Sequence, residues 1–358
     1  MRKYNFSAGP STLPVQVLET LRDEMVDYQG SGMSLIEASH RGAEYDAVHM
    51  NTISLIKELL QVPDTHSILL LQGGATMQFA MIPLNLLSGG KSCDAVMSGS
   101  WAKKAIADFG KVGTVQKIFD GKDSGFTTLP ETLNTNAGAA FVHITSNETI
   151  EGVQWKTFPQ TGDVPLIADM SSDIMSRPLP VEQFGMIYAG AQKNLGPAGV
   201  AIVIIRNDLL EKCPDTLPAY LNYKTHADKD SMYNTPPVFA IWAMGEVLKW
   251  VKANGGLKKV QENNEKKAKI VYDAISAQSD FYRCPVDPAV RSTMNVVFRL
   301  PSEELEAKFI AEAKAKGMVG LKGHRSVGGC RASIYNAMPL EGAQALANFM
   351  KEFAQNNA

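Results

Sequence analysis

The sequence has 358 residues, 45% of them hydrophobic, enough for a sizeable core and too long for one compact core of the usual size, so two domains are expected. Its 35 Lys and Arg against 37 Asp and Glu leave a formal charge of -2, which excludes the strong basic excess of a nucleic-acid-binding surface. No apolar run approaches a membrane-spanning length, and Cys93, Cys213, Cys284 and Cys330 form neither a CxxC pair nor a zinc-like cluster, so a reduced, cytoplasmic protein without a metal is the simplest reading.

The opening stretch, MRKYNFSAGPSTLP, lacks the apolar segment of a secretory leader, and Gly9, Pro10 and Pro14 mark it as an extended arm with turns. From Ala43 to Leu60, Tyr45, Val48, Thr52, Leu55 or Ile56, and Leu59 recur at helical spacing. Ser67 to Leu71 is a short apolar run ending in Gln72-Gly73-Gly74, which predicts a buried strand entering a tight turn. Thr76 to Leu87 reads as a helix that Pro83 must kink or shorten. Strand-like Ala95 to Met97, helix-like Trp101 to Phe109, and strand-like 114–119, 139–145 and 165–169 follow. Met186 to Ala189 and Val200 to Ile205 read as strands flanking a Gly-Pro-Ala-Gly turn short enough to admit an antiparallel pair. Strands alternating with helices predict an α/β domain with a mostly parallel sheet. Beyond Pro236-Pro237 the composition shifts to long helices over 238–252 and 257–277, then strand-like 294–300, helix-like 303–316 and strand-like 331–335. This predicts a large domain over 15–255 and a small α+β domain over 256–358 that includes the arm 1–14, with the boundary near Asn254-Gly255-Gly256.

The stretch from Tyr188 to Asn194 places Lys193 at the end of an apolar strand, among small residues, before a glycine-containing turn. Lysines are usually solvated. One held in a partly desolvated site is more easily deprotonated, and only the neutral amine attacks an aldehyde. A surface lysine at a loop edge is the competing reading. Asp169 shifts the balance: it ends the run Pro165-Leu166-Ile167-Ala168 one strand–connection–strand excursion earlier, which would put both side chains at strand ends on one sheet edge, where α/β ligand sites form. A carboxylate there can keep the pyridine nitrogen of pyridoxal phosphate protonated, the electron sink needed when a substrate Cα loses its proton. An ordinary helix cap or turn residue remains the alternative for Asp169.

Gln72-Gly73-Gly74-Ala75-Thr76 supplies a strand–helix turn whose free N–H groups could take a phosphate. Neither GxGxxG nor GxxxxGK[ST] is present at this turn, so it matches neither a dinucleotide fingerprint nor a P-loop. Trp101, after Ser98-Gly99-Ser100, could stack on a flat ring or serve as a core tryptophan. Thr149, Gln192, Asn234 and Thr235 offer further polar contacts.

Together these segments resemble the phosphoserine aminotransferase family of class-V, fold-type I (aspartate aminotransferase-like) pyridoxal-phosphate enzymes. The resemblance runs in order from Asn5-Phe6-Ser7-Ala8-Gly9-Pro10, through 168–172, 188–194 and 233–237, to 323–329 and 331–337. It implies transamination of 3-phosphohydroxypyruvate with glutamate in serine biosynthesis, and in some members the four-carbon analogue of pyridoxine biosynthesis. Carried onto this chain, it implies that Lys193 bonds to the cofactor aldehyde and Asp169 pairs with the ring nitrogen. Trp101 would stack on the ring with Thr149 and Gln192 nearby. Ala75 and Thr76 would hold the cofactor phosphate, joined by Asn234 and Thr235 from the second subunit of a homodimer with shared sites. Arg331 would take the substrate α-carboxylate, while His40, Arg41, His324 and Arg325 would take the substrate phosphate or the glutamate side-chain carboxylate. Some members carry arginine where this chain has Thr76; the cofactor contact there is largely backbone and should survive, while substrate-phosphate binding would rest more heavily on the other basic residues.

Physically, the anionic substrates must be met by local cations, because the chain as a whole is slightly acidic. Arginine suits this, since its planar fork makes two hydrogen bonds at once. Two rivals stand beside this reading. One is a related enzyme on the same fold, another small-substrate aminotransferase or a cysteine desulfurase, which would use Cys330, although that residue adjoins a strand and reads as packing. A non-catalytic phosphometabolite-binding scaffold would have no need of Lys193 and Asp169.

Overall fold

The computed structural model describes residues 2–357. Seven strands form the central sheet: β1 (His66–Leu71), β2 (Ser92–Met97), β3 (Thr114–Asp120), β4 (Val142–Thr145), β5 (Leu166–Asp169), β6 (Met186–Gly190) and β7 (Ala201–Arg206). Their spatial order is β1-β7-β6-β5-β4-β2-β3. The pairs β2–β3, β2–β4, β4–β5 and β5–β6 are parallel, and β7 runs antiparallel to both β6 and β1. The turn carrying Lys193 thus closes an antiparallel pair in which Gly190 faces Ala201.

Helices α1 (Val15–Asp23), α2 (Ala43–Leu60), α3 (Gly74–Leu86), α4 (Ser100–Phe109) and α5 (Val238–Ala253) pack around this sheet. One core joins α1, α2 and α5 to one sheet face through Val17, Leu21, Tyr45, Ile56 and Trp242. A second joins α3 and α4 to the other face through Phe79, Ile82, Ala105 and Phe109. The inner strands β2 and β4 to β7 are almost wholly buried, as a parallel sheet under two helix layers must be, and this is why they read as apolar runs, whereas the edge strand β3 is exposed or half-buried throughout.

Pro83 does not cut α3 short. The helix runs to Leu86, with Phe79, Met81, Ile82, Pro83 and Leu86 all buried. Tertiary burial of this face outweighs the roughly 3 kcal/mol that an interior proline costs. The sequence reading did not include α1, or α8 below.

A third core holds α6 (Gly256–Ser276), β8 (Asn295–Phe298), α7 (Glu303–Ala315), β9 (Cys330–Ser333) and α8 (Leu340–Asn357), with β8 and β9 antiparallel. Phe6 of the N-terminal arm is buried in it, and Tyr4–Asn5 pairs in parallel with Met318–Val319. The arm then crosses to the sheet: Tyr335 donates to the Ala8 carbonyl at 2.7 Å, and the Ser11 amide donates to the Gln192 carbonyl at 3.0 Å. Among the described residues no helix is long and apolar enough to cross a membrane.

Candidate active site

The carboxyl ends of β4, β5 and β6 and the start of α3 surround a cavity of about 200 Å³. Its walls include Ala75, Thr76, Trp101, Thr149, Asp169, Gln192 and Lys193. The sheet register explains the meeting, since Thr145, Asp169 and Tyr188 stand level on adjacent strands and Lys193 follows just beyond the end of β6. Seven of the residues singled out in the sequence therefore share one cavity.

Lys193 is buried, and its ammonium donates to the Thr149 hydroxyl at 2.7 Å. Burial pushes it down to about 8, with Asp169 opposing and Arg331 reinforcing the shift. Its Nζ stands 5.6 Å from the Trp101 ring centroid. The arm passes close by: a Cβ on Gly9 would meet Lys193 Cγ at 3.4 Å, and the Ser11 hydroxyl donates to the Lys193 carbonyl.

Asp169 is also buried, and burial raises its carboxyl above the usual value. One oxygen accepts the Ser171 amide at 2.9 Å, while the other has no partner among the described residues. The turn before α3 has Gly73 at φ 85 and Gly74 at φ 61, backbone that side chains rarely adopt. No side chain caps α3. The amides of Gly74, Ala75 and Thr76 stand in its first turn, where N–H groups lack helical partners.

A basic wall adjoins the cavity. Arg331 on β9 donates from Nη1 to the Thr149 carbonyl at 3.2 Å, and its Nε is buried without a partner. His324 lies near enough to Arg331, Lys104 and Arg325 that their charges, after burial, hold its imidazole below the usual value. Arg325 itself is exposed. Lys104, which the sequence reading missed, lies 4.1 Å from the Trp101 centroid; its i+3 spacing on the same helix was the available signal.

Of the seven predicted residues that do not line the Lys193 cavity, Arg331, His324 and Arg325 form this adjoining wall and four others lie apart from it in their own chain. His40 and Arg41 occupy the turn before α2, and Asn234 and Thr235 stand beside Gln72, whose amide donates to the Thr235 carbonyl at 3.1 Å. Exposed apolar side chains flank both groups: Met33, Ile36 and Met50 near the first, Tyr233 and Phe239 near the second. Cys330 is buried on β9 and burial drives its thiol upward, the opposite of a reactive sulfur.

Sequence reasoning also missed Glu148 and Glu151, which hold the start of α4, and Ser171, which orients Asp169. The spacing of two glutamates around Thr149 carries no signal of its own. A larger cavity, about 510 Å³, lies between the N-terminal arm and α5 and α6, and holds none of the predicted site residues. Lys267 in its wall is already bonded to the Ile334 and Tyr335 carbonyls at 3.0 and 2.7 Å.

The cavity holds a buried amine of lowered basicity, a carboxylate oxygen facing no protein donor, a flat aromatic face and a set of free amides. That is a donor set for a planar aldehyde bearing a ring nitrogen and a phosphate.

Comparison with known proteins agrees. Residues 3–346 match the model of the class-V aminotransferases. A phosphoserine aminotransferase of Lysinibacillus sphaericus is 53% identical over 358 residues, covering 99% of each chain. The solved phosphoserine aminotransferase from Bacillus circulans subsp. alkalophilus superposes with a TM-score of 0.98 at 52% identity, covering 100% of this chain and 99% of that one. The pyridoxal-phosphate-bound phosphoserine aminotransferase from Trichomonas vaginalis superposes at 0.93 with 38% identity, covering 98% and 100%.

Proposed function

The chain belongs to the class-V aminotransferase family, and from that premise we propose that it transfers the amino group of L-glutamate to 3-phosphohydroxypyruvate, yielding O-phospho-L-serine and 2-oxoglutarate for serine biosynthesis. The observation that carries this reading is the meeting of Lys193, Asp169, Trp101 and the open start of α3 around one cavity, beside the half-buried Arg331. The identity to phosphoserine aminotransferases over nearly the full chain supports the substrate assignment.

The residues present fit pyridoxal 5'-phosphate. When bound, that group supplies an electron sink for the substrate Cα. Lys193 would supply the amine that holds the aldehyde, and as a free amine would move the proton at the substrate Cα, help worth on the order of 10²–10⁴-fold. Its lowered basicity suits a group that must act as both acid and base near neutral pH. Thr149 orients that amine. Asp169, oriented by Ser171, keeps the ring nitrogen protonated. Trp101 would cover the ring with Gln192 beside it, and the amides of Ala75 and Thr76 would hold the phosphate. The fork of Arg331 receives the α-carboxylate common to both amino acids. His324 and Arg325 receive the distal anion.

The same reading assigns the remaining residues to a homodimer with shared sites. His40 and Arg41 of a second copy complete the distal anion pocket, and Asn234 and Thr235 of that copy join the cofactor phosphate. The exposed apolar side chains near both groups in sequence support this, since such side chains are more readily buried at an interface than left in water. Residues 15–255 form the cofactor-binding domain, and 256–358 with the arm 1–14 form the small one. The four free cysteines fit a cytoplasmic location. The four-carbon phosphorylated analogue of pyridoxine biosynthesis is a second substrate under this reading, because the same cations meet its anions.

The test is the visible spectrum of the purified protein before and after glutamate, then after 3-phosphohydroxypyruvate. The expected result is a yellow protein that bleaches with glutamate and recovers with the keto acid. A colourless protein unresponsive to added cofactor would favour a non-catalytic scaffold instead.

A further inference from the structure

Helix α4 carries Trp101, yet its cap position is Gly99, which has no side chain to offer. The cap comes instead from the Thr149 segment. Glu148 accepts the Trp101 amide on Oε2 and the Ala102 amide on Oε1, each at 3.0 Å, and the Ser98 hydroxyl donates to Oε1 at 3.2 Å. Glu151 Oε1 accepts the Ser100 amide at 3.0 Å and the Ser100 hydroxyl at 2.5 Å. Three of the four free amides of the helix are thereby met. Gly99 is required by space: a Cβ there would stand 2.6 Å from Glu148 Cδ and 2.7 Å from Glu151 Oε2. The two carboxyl groups therefore crowd one point.

That crowding leaves Glu151 Oε2 buried with no donor at all. Two ionised carboxylates side by side in a buried site repel, and a bare carboxylate oxygen there is costly. One proton between them removes both problems. We propose that Glu148 and Glu151 are positioning residues that share a single proton, so that the pair caps α4 with one negative charge and holds Trp101 and Arg331 in register with Lys193. The proposal deepens the transaminase reading and rests on it for the roles of Trp101 and Arg331.

Thr149 stands between the two acids in sequence; its hydroxyl accepts from Lys193 and its carbonyl accepts from Arg331. One short segment thus touches the helix of Trp101, the amine and the arginine. The charged groups acting on the pair are Asp169 and Lys193 on the Glu148 side and Arg331 on the Glu151 side. Burial first, then the charge of Glu151, lifts the Glu148 carboxyl well above the usual range, and burial lifts Glu151 too.

The test uses the full-length protein, apo and cofactor-loaded, with Glu148→Gln, Glu151→Gln and the double variant. Infrared difference spectra of wild type minus each single variant should contain the same protonated-carboxyl band at neutral pH, because either substitution leaves a lone acid that ionises. A band missing from either spectrum overturns sharing. This arm needs no cofactor, so it stays readable even if the transaminase reading fails. In the visible, the titration midpoint of the Lys193-bound cofactor should hold in each single variant and fall by about one pH unit in the double, since one negative charge remains until both acids are gone. A full shift in either single variant overturns the proposal. Quenching of tryptophan emission on cofactor loading should shrink in E148Q toward that of a Trp101→Phe control, and quenching equal to wild type overturns the positioning role.

Discussion

The Thr149 hydroxyl is the one hydrogen-bond partner of the Lys193 ammonium among the described residues, at 2.7 Å. A neutral hydroxyl holds a buried cation in place without anchoring its charge as a carboxylate would. Asp169 acts on the same ammonium through its charge but is outweighed by burial. The amine is thus aimed and yet easily deprotonated, and the first two predictions follow from that.

Replacing Lys193 by Ala should abolish transamination and the visible absorption of lysine-bound cofactor, with the fold retained by circular dichroism. An active, yellow variant would defeat the assignment.

Cofactor loading of the apoprotein should speed up with pH. Burial lowers Lys193 to about 8, and the attacking species is the neutral amine, so its fraction rises about tenfold per pH unit below that value and levels off above it. Stopped-flow absorbance gives the rate. A profile that still climbs unchanged toward pH 10 would mean that the amine is not desolvated.

Changing Asp169 to Asn should leave cofactor bound while turnover falls by at least about a hundredfold. Removing one partner of a buried charge pair costs about 3 kcal/mol or more. Single-turnover rates at saturating glutamate read this directly, and a loss below tenfold would remove Asp169 from the chemistry.

Arg331→Lys should keep the absorption spectrum and raise KM for both amino acids by about ten- to a hundredfold, because an ammonium cannot reproduce the two-bond fork. The orphaned Nε of Arg331 is the reason to expect it. Equal KM values in variant and wild type would place the α-carboxylate elsewhere.

A mixture of Lys193→Ala and Arg41→Ala subunits, each inactive alone, should regain about a quarter of wild-type activity after exchange, since half the dimers are hybrids with one intact site. No recovery after verified exchange would mean that Arg41 serves its own subunit or none.

The alternation of short apolar runs with helical spacing foretold the α/β sheet, because strands buried on both faces carry few polar residues. Lys193 and Asp169 stood out for a related reason: a charged residue closing an apolar strand among small neighbours needs an explanation that packing does not supply. Pro83 does not shorten its helix, because the burial of that face overrides the local penalty. Helices α1 and α8 were not read, and their stability comes from the cores they complete.

By itself, then, the sequence determined the strand–helix alternation, where the amine and the carboxylate sit along the chain, and which strand–helix turn is built on paired glycines. These depend on local pattern and residue chemistry. Only the tertiary structure decided that Glu148 and Glu151 cap a helix 46 to 51 residues away, that the N-terminal arm passes close to Lys193, and that His40, Arg41, Asn234 and Thr235 lie outside the cavity of their own chain. Such relations join segments far apart in the chain, and no spacing rule encodes which distant backbone amide a buried carboxylate will meet.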